Sequence, residues 1–194
     1  MNHEENLRIF IAIPLPFSII EYLTEIISSF KKQLPDHSIK WVKPENIHLT
    51  LKFLGNISTA KLSDLYKHFD TPLQIKPFEL EITKLGAFPS IFKPRVVWVG
   101  LSESKPLGNL SLFINENTEF LGLENEESFS PHLTLARTRP GIKKGNIENL
   151  KQLFAKNRII EPQSFQVNHF NIYQSTLTPK GPLYSILKTY KLLS

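Results

Sequence analysis

The chain has 194 residues, which is enough for one domain or two small packed lobes and too few for several independent modules. Its formal charge of +5 at pH 7 favours a polyanionic partner such as RNA. The absence of cysteine excludes disulfide frameworks, thiolate metal sites and cysteine nucleophiles. Glu4 and Glu5 stand where a signal peptide would have basic residues, so we expect a cytoplasmic protein that does not enter a membrane.

The first half of the chain alternates between strand and helix patterns. Short apolar runs rich in β-branched residues indicate strands, and these runs are Arg8–Ile13, Ile39–Val42, Ile47–Leu54 and Phe78–Leu85. Apolar residues spaced three and four apart predict a helix over Phe17–Leu34, closed by Pro35. A second helix is predicted to follow, with Ser58 or Thr59 as its N-cap. Three of its residues are expected to face the core: Leu62, Leu65 and Phe69.

The second half repeats this order. Arg95–Gly100 matches Arg8–Ile13 in its leading arginine and apolar character, and Phe165–Tyr173 matches the strand that starts at Phe78, both at an offset of 87 positions. The other predicted elements are a helix with Leu110, Phe113, Asn117 and Leu121 on one side that ends at Gly122, a strand over His132–Ala136, a helix capped by Asn146 with Ile147, Leu150 and Phe154 inward, and a last strand at Leu183–Leu187.

This duplicated order predicts an α+β fold of two pseudo-symmetric lobes, each an antiparallel sheet with helices on its outer face. The two sheets are expected to face a central cleft. We treat residues 1–194 as one domain, with lobes over roughly 1–90 and 91–175 and a C-terminal strand region, 176–194, that completes the sheets. A residue on the inner face of one sheet then has a counterpart across the cleft.

The tetrapeptide His-Leu-Thr-Leu occurs once in each half, at His48–Leu51 and at His132–Leu135. Successive side chains of a strand point to opposite faces, so the histidine and threonine of each copy share one face and the leucines share the other. If the leucines pack against helices, both His/Thr pairs face the cleft. A single strand histidine is more often structural, but packing alone does not demand the same polar pair twice.

Two imidazoles and two hydroxyls that converge suit the cleavage of a cyclic phosphodiester by in-line attack of water. An imidazole has an unperturbed pKa of about 6.5, so near neutral pH one ring can accept the proton of water while the other protonates the leaving oxygen. Spacing alone does not say which of His48 and His132 plays which part. The hydroxyls of Thr50 and Thr134 can donate to the phosphate oxygens as charge builds on them.

Arg137 is the least determined residue of the candidate site. Its guanidinium suits phosphate oxygens. However, it lies five positions after His132, and an odd offset points to the opposite face of a regular strand. It can reach a phosphate only if the strand bends or ends first. Spacing therefore leaves phosphate binding and a surface position equally open.

Other chemistries fit the sequence less well. A zinc site is disfavoured because each His-x-Thr copy supplies one ligand and no HExxH motif or carboxylate cluster accompanies it. The phosphate loop GxxxxGKS/T, the GxGxxG turn and the GxSxG nucleophile elbow are absent. We therefore expect neither a metal nor a cofactor. Phe53 and Tyr173 are candidates for stacking a base, although each is more often a core residue.

The sequence around these motifs resembles the RNA 2',3'-cyclic phosphodiesterase branch of the 2H phosphoesterase superfamily, also known as the 2'-5' RNA ligase family. The likeness spans nearly the whole chain. The segments that carry it are Arg8–Ala12, Trp41–Val42, Asn46–Gly55, Pro131–Arg137, Tyr173–Ser175 and Gly181–Tyr184.

The resemblance implies metal-independent hydrolysis of an RNA 2',3'-cyclic phosphate to a 2'-phosphate, with weak 2'-5' ligation as the reverse reaction. It assigns His48 as the proton donor to the leaving 3' oxygen, His132 as the acceptor from water, and Arg137 as a phosphate contact beside Thr50 and Thr134. The implied partners are RNA ends, such as those of tRNA halves, and 2',3'-cyclic nucleotides. We expect a monomer. The alternative is a module that binds RNA or a nucleotide in the same cleft without chemistry.

Overall fold

Strands and helices alternate along the computed structural model, which describes residues 6–34, 38–70, 74–123, 129–156 and 161–193. Within these ranges the strands are β1 Asn6–Pro14, β2 Ile39–Trp41, β3 His48–Ser58, β4 Phe78–Phe88, β5 Val96–Leu101, β6 His132–Thr138, β7 Gln163–Val167, β8 His169–Thr178 and β9 Gly181–Lys191. The α-helices there are α1 Phe17–Gln33, α2 Thr59–Phe69, α3 Lys105–Thr118 and α4 Lys144–Lys156. None of these helices combines the length and the apolar character needed to cross a membrane.

The strands and helices predicted for the first half are confirmed. α1 ends at Gln33, and Pro35 lies outside the described residues. Ser58 caps α2, because its hydroxyl accepts a hydrogen bond from the backbone N–H of Lys61 at 3.4 Å. The three residues of α2 that the spacing predicted to face the core are all buried: Leu62, Leu65 and Phe69.

The buried face of α3 differs from the predicted one. The sequence predicted Phe113 and Asn117 on the inner side, whereas Ile114 and Thr118 are buried there. Thr118 is tolerated in the core because its hydroxyl donates to the carbonyl of Ile114 at 2.7 Å. A polar residue that is satisfied inside its own helix escapes an apolar pattern, so positions 113 and 117 were predicted one residue too early, whereas Leu110 and Leu121 are buried as predicted. The segment ends as predicted at Gly122, whose φ of 68° is left-handed.

Two further details of the second half also correct the predictions. α4 begins at Lys144, so Asn146 lies in its first turn and does not cap it. The run predicted as one strand from Phe165 to Tyr173 forms two strands, β7 and β8, interrupted at Asn168. β7 pairs with β4 and β8 pairs with β1, so the chain changes partner strands within this run. The apolar alternation of a segment is the same whichever strand it pairs with, so the sequence could not show this change of partner.

All strand pairs of the described residues are antiparallel and belong to one curled sheet. The order is β7-β4-β5-β6-β3-β1-β8-β9, with β2 beside β6. The first four strands of this order form one group and the last four form another. The two groups meet where β3 lies beside β6, paired through Leu49 and Leu133. Both of these leucines belong to the His-Leu-Thr-Leu motif. The two copies of the motif therefore lie side by side at the middle of the sheet.

Each group of four strands draws on both halves of the sequence. β4, from the first half, pairs with β5, and β8, from the second half, pairs with β1. The strand order β3-β1-β8-β9 is thus the counterpart of β6-β5-β4-β7. The α+β fold with pseudo-symmetric halves is confirmed, while residues 1–90 do not form one group of strands on their own.

The hydrophobic core lies between the sheet and the helices. All four motif leucines are buried, at 5% exposure or less: Leu49, Leu51, Leu133 and Leu135. They belong to one cluster with buried residues of every α-helix, for example Leu23, Leu65, Leu110 and Leu150. Because the side chains of a strand alternate, burial of the leucines turns the histidine and threonine of each copy to the opposite side of the sheet.

Candidate active site

A cleft of about 310 Å³ opens where the histidine and threonine side chains of both motif copies lie. The five residues predicted for the site all line it: His48, Thr50, His132, Thr134 and Arg137. The pairing of β3 with β6 is what brings them together, although 84 positions separate His48 from His132 in the sequence. A phosphate-sized group in this cleft would meet residues from both halves of the chain.

The two imidazoles are oriented in the same way. Nδ1 of His48 lies 2.9 Å from the carbonyl oxygen of Asn46, and Nδ1 of His132 lies 2.8 Å from that of Ser130, in each case two residues earlier. A carbonyl oxygen only accepts, so Nδ1 must be the protonated nitrogen in both rings. Each neutral ring therefore has a free lone pair on Nε2, and each charged ring has an N–H there.

Aromatic rings from other strands of the sheet pack against each imidazole. The ring of Tyr184 in β9 lies edge-on to His48, with centroids 5.3 Å apart and planes at 84°. Phe88 in β4 lies edge-on to His132 in the same way, at 5.0 Å and 84°. Phe10 covers a further side of His48 at 4.9 Å. These contacts restrict rotation of the rings and so preserve the direction of Nε2.

The protonation of His48 is governed mainly by its burial. Burial lowers the pKa of His48 to about 4, the hydrogen bond to Asn46 opposes this shift, and the nearby Arg137 and His132 add to it. The physical cause is the loss of water around the charged form of the ring. In the free enzyme His48 is therefore neutral at neutral pH, with its proton on Nδ1.

This low pKa makes the stability of the protein depend on pH. The ring of an unfolded chain titrates near pH 6.5, so between pH 6.5 and about 4 the unfolded state binds a proton that the folded state does not. The contribution of His48 to the free energy of unfolding should fall by about 3 kcal/mol as pH is lowered through this window, and level off below it. Urea unfolding at closely spaced pH values measures the slope.

The matched variant for this prediction is His48→Gln, which removes the titrating ring. The difference in unfolding free energy between wild type and His48→Gln should vary with pH in this window. A slope that survives unchanged in His48→Gln would contradict the prediction.

A β-bulge in each motif strand places the fifth residue after the histidine. Within the motif, β3 carries an extra residue, Leu51, against β1, and β6 carries one, Leu135, against β5; β3 has a second irregularity against β1 at Leu54. The burial pattern is the same over the first six residues of both strands, with two buried residues in succession at the bulge. The extra residue shifts the alternation by one position. Phe53 and Arg137, both at odd offsets, therefore return to the cleft side.

Because of the bulge in β6, Arg137 lies on the cleft side of the strand, which spacing alone could not predict. Its side chain lines the cleft with His132 and Thr134 and does not lie on the opposite face. The equivalent position in the first motif is Phe53, which also lines the cleft and is 51% exposed. The two halves thus present a cation and an aromatic ring at matching places.

The two aromatic candidates for base stacking have different environments. Phe53 is not a core residue, because half of its surface is open to solvent at the cleft. Tyr173 instead stacks on Phe10, with centroids 5.0 Å apart and planes at 10°, and its hydroxyl accepts a hydrogen bond from the side-chain amide of Asn171 at 2.9 Å. Tyr173 therefore supports the packing behind His48, and Phe53 is the ring that a ligand can meet.

Several residues that line the cleft were not predicted from the sequence. Lys40 and Lys43 come from β2 and the turn after it, and Lys180 comes from the hairpin between β8 and β9. The hairpin is tied to that turn because the side-chain amide of Asn46 donates to the carbonyl of Pro182 at 3.1 Å. Among the described residues that line the cleft there is no aspartate or glutamate. Lysines scattered along the sequence thus form one basic rim.

Within the described ranges, no group of three or more histidine, cysteine, aspartate or glutamate side chains could hold a metal ion. The chemistry that the cleft offers from its own residues is proton transfer by two imidazoles and donation to an anion by hydroxyls, a guanidinium and ammonium groups.

Comparison with known proteins gives the family. The sequence matches the family described as LigT like phosphoesterase over residues 13–98 and 102–184. An RNA 2',3'-cyclic phosphodiesterase of Methanocaldococcus jannaschii is 33% identical over 184 residues, which cover 95% of this chain and 100% of the relative. One of Aquifex aeolicus is 34% identical over 176 residues, 88% of this chain and 91% of the relative.

Solved structures agree with this. The protein TT0787 of Thermus thermophilus superposes with a TM-score of 0.77 at 26% identity, over 96% of this chain and 98% of that one. E. coli LigT complexed with 3'-AMP gives a TM-score of 0.74 at 26% identity, over 98% and 99% of the two chains. The chain is therefore an enzyme of the LigT like phosphoesterase family, as the resemblance of its two motif copies predicted.

Proposed function

We propose that this enzyme hydrolyses the 2',3'-cyclic phosphate at the end of an RNA to a 2'-phosphate, without a metal ion. The observation that carries the proposal is the convergence of two His-x-Thr pairs and Arg137 in one basic cleft. Relatives at 33% and 34% identity that are named RNA 2',3'-cyclic phosphodiesterase support the choice of substrate.

The two imidazoles divide the proton transfers between them. Nε2 of His132 accepts a proton from water as the water oxygen bonds to phosphorus. The bond from phosphorus to the 3' oxygen breaks on the opposite side, and Nε2–H of His48 protonates that oxygen. The product has a 2'-phosphate and a free 3'-hydroxyl. When the 5'-hydroxyl of a second RNA takes the place of water, the same steps form a 2'-5' phosphodiester as the bond to the 3' oxygen breaks, and we expect this ligation to be the weaker activity.

His48 must be charged to act as the acid, although it is neutral at neutral pH in the free enzyme. A bound phosphate makes protonation of His48 more favourable. Its negative charge favours the charged imidazole, and it also offsets the positive charge of Arg137, which is one of the causes of the low pKa of His48. Substrate binding and protonation of His48 are therefore coupled.

Three side chains hold the phosphate between the imidazoles. The hydroxyls of Thr50 and Thr134 lie on the same strand faces as the histidines and donate to the non-bridging oxygens. The guanidinium of Arg137 can donate two parallel hydrogen bonds to the same group. Preorganised donors of this kind stabilise the charge that builds on the phosphate in the transition state.

The rim of the cleft suits the rest of an RNA end. Lys40, Lys43 and Lys180 give the cleft a positive charge that suits the phosphates of an RNA backbone. The exposed ring of Phe53 offers a surface on which a base can stack. These features support RNA or a 2',3'-cyclic nucleotide as the partner.

Product identification tests the proposal directly. An RNA oligonucleotide with a 2',3'-cyclic phosphate end and 2',3'-cyclic AMP are incubated with the enzyme in excess EDTA, and the products are resolved by chromatography. We expect a 2'-phosphate from both, at a rate that EDTA does not change. A 3'-phosphate product, or loss of activity with EDTA, would contradict the proposal. Tight, salt-sensitive binding without cleavage would instead favour the alternative, a module that holds RNA without chemistry.

A further inference from the structure

One polar group beside His48 has no role in packing, the hydroxyl of Tyr184. Tyr184 and Phe88 lie edge-on to His48 and His132 at nearly the same centroid distance, 5.3 and 5.0 Å, and at the same angle of 84°. Phe88 packs against its histidine with a ring that has no polar atom. Packing against His48 therefore needs the ring of Tyr184 and does not need its hydroxyl.

That hydroxyl has no hydrogen-bond partner among the residues that the structure describes, while the residue lines the cleft. The phenol is close enough to Arg137 and Arg8 for their charges to act on it, so it lies on the side where a phosphate would bind. Burial raises the pKa of Tyr184, and the two arginines only oppose this rise, so the hydroxyl keeps its proton at neutral pH. A protonated phenol beside an anion is a hydrogen-bond donor.

We propose that the hydroxyl of Tyr184 donates a hydrogen bond to a phosphate oxygen of the bound substrate, on the side of His48. The inference rests on the proposed function of the cleft. It adds a third hydroxyl to those of Thr50 and Thr134, on the side of the cleft that lacks Arg137. The side with the extra donor is the one where the 3' oxygen leaves and where charge must be stabilised.

The test compares Tyr184→Phe with Tyr22→Phe. The first variant gives His48 the same kind of edge-on ring that Phe88 gives His132, so it should unfold at the wild-type temperature. The second removes a hydroxyl that donates to the carbonyl of Glu161 at 2.8 Å and does not line the cleft. For 2',3'-cyclic AMP, kcat/KM should fall about tenfold to a hundredfold in Tyr184→Phe and stay unchanged in Tyr22→Phe.

Binding of inorganic phosphate separates the two roles of Tyr184, because loss of the hydroxyl would not change phosphate binding if the residue only packed against His48. Competitive inhibition by phosphate should weaken in Tyr184→Phe, and the ¹³Cζ signal of Tyr184 should shift when phosphate is added to the wild-type enzyme. Wild-type inhibition in the variant together with an unmoved ¹³Cζ signal would overturn the inference. If the wild-type enzyme left 2',3'-cyclic AMP uncut, the proposed function would fail, and the phosphate measurements would still decide the role of Tyr184.

Discussion

Replacing either histidine of the cleft with alanine should lower kcat for an RNA 2',3'-cyclic phosphate by about 10²- to 10⁴-fold, because each ring carries one of the two proton transfers. The double variant His48→Ala/His132→Ala should lose little more than the less active single variant, since groups that act as a unit are not additive. Single-turnover rates at saturating substrate measure the effect. His68→Ala is the control, because His68 stacks on Phe120 at 4.4 Å and does not line the cleft.

The roles of the two rings can be separated with a second substrate. A nitrophenyl phosphodiester has a leaving oxygen that needs no proton, so the loss of an acid matters less for it than the loss of a base. His48→Ala should therefore recover much of its deficit on this substrate, and His132→Ala should not. Equal recovery in both variants would count against the assignment of His48 as the acid, and full activity of both on the RNA substrate would end the proposed mechanism.

Replacing Arg137 with methionine should lower kcat/KM by about 10²- to 10³-fold, the size of effect seen when a preorganised donor to a developing charge is removed. Arg137→Lys should recover only part of this loss, because an ammonium group cannot form the two parallel hydrogen bonds of a guanidinium. Arg139→Met is the matched control, since Arg139 is two positions further along the chain and does not line the cleft. Steady-state kinetics on the three variants gives the comparison.

The same variant has a second effect that does not depend on turnover. Arg137 is one of the causes that lower the pKa of His48, so Arg137→Met should raise that pKa in the free enzyme. An NMR titration of the His48 ring measures it. If Arg137→Met kept full kcat/KM and left the titration of His48 unchanged, Arg137 would have no part in the phosphate site.

Local patterns in the sequence were enough for most of the secondary structure and for the central pair of motifs. Apolar spacing of two, or of three and four, depends only on which side of an element is buried, so it identified β1, α1 and α2 within a few residues. The repeat of His-Leu-Thr-Leu, with leucines that had to be buried, was enough to place His48 and His132 on the cleft side of their strands.

Other features depended on contacts between segments that are distant in the sequence. Spacing could not predict the bulges at Leu51 and Leu135, because a bulge exists only relative to a partner strand, and the position of Arg137 follows from one of them. The exchange of β4 and β8 between the two groups of strands is also a matter of pairing.

By itself, the sequence determined the type of each element, the face that its residues share and the two polar pairs, because these follow from the periodicity of a single segment. Only the tertiary structure decided that the pKa of His48 is low and that Lys180 and Tyr184 line the cleft. The physical reason is that burial, electrostatic interaction and packing arise between segments, and depend on which of them the folded sheet brings together.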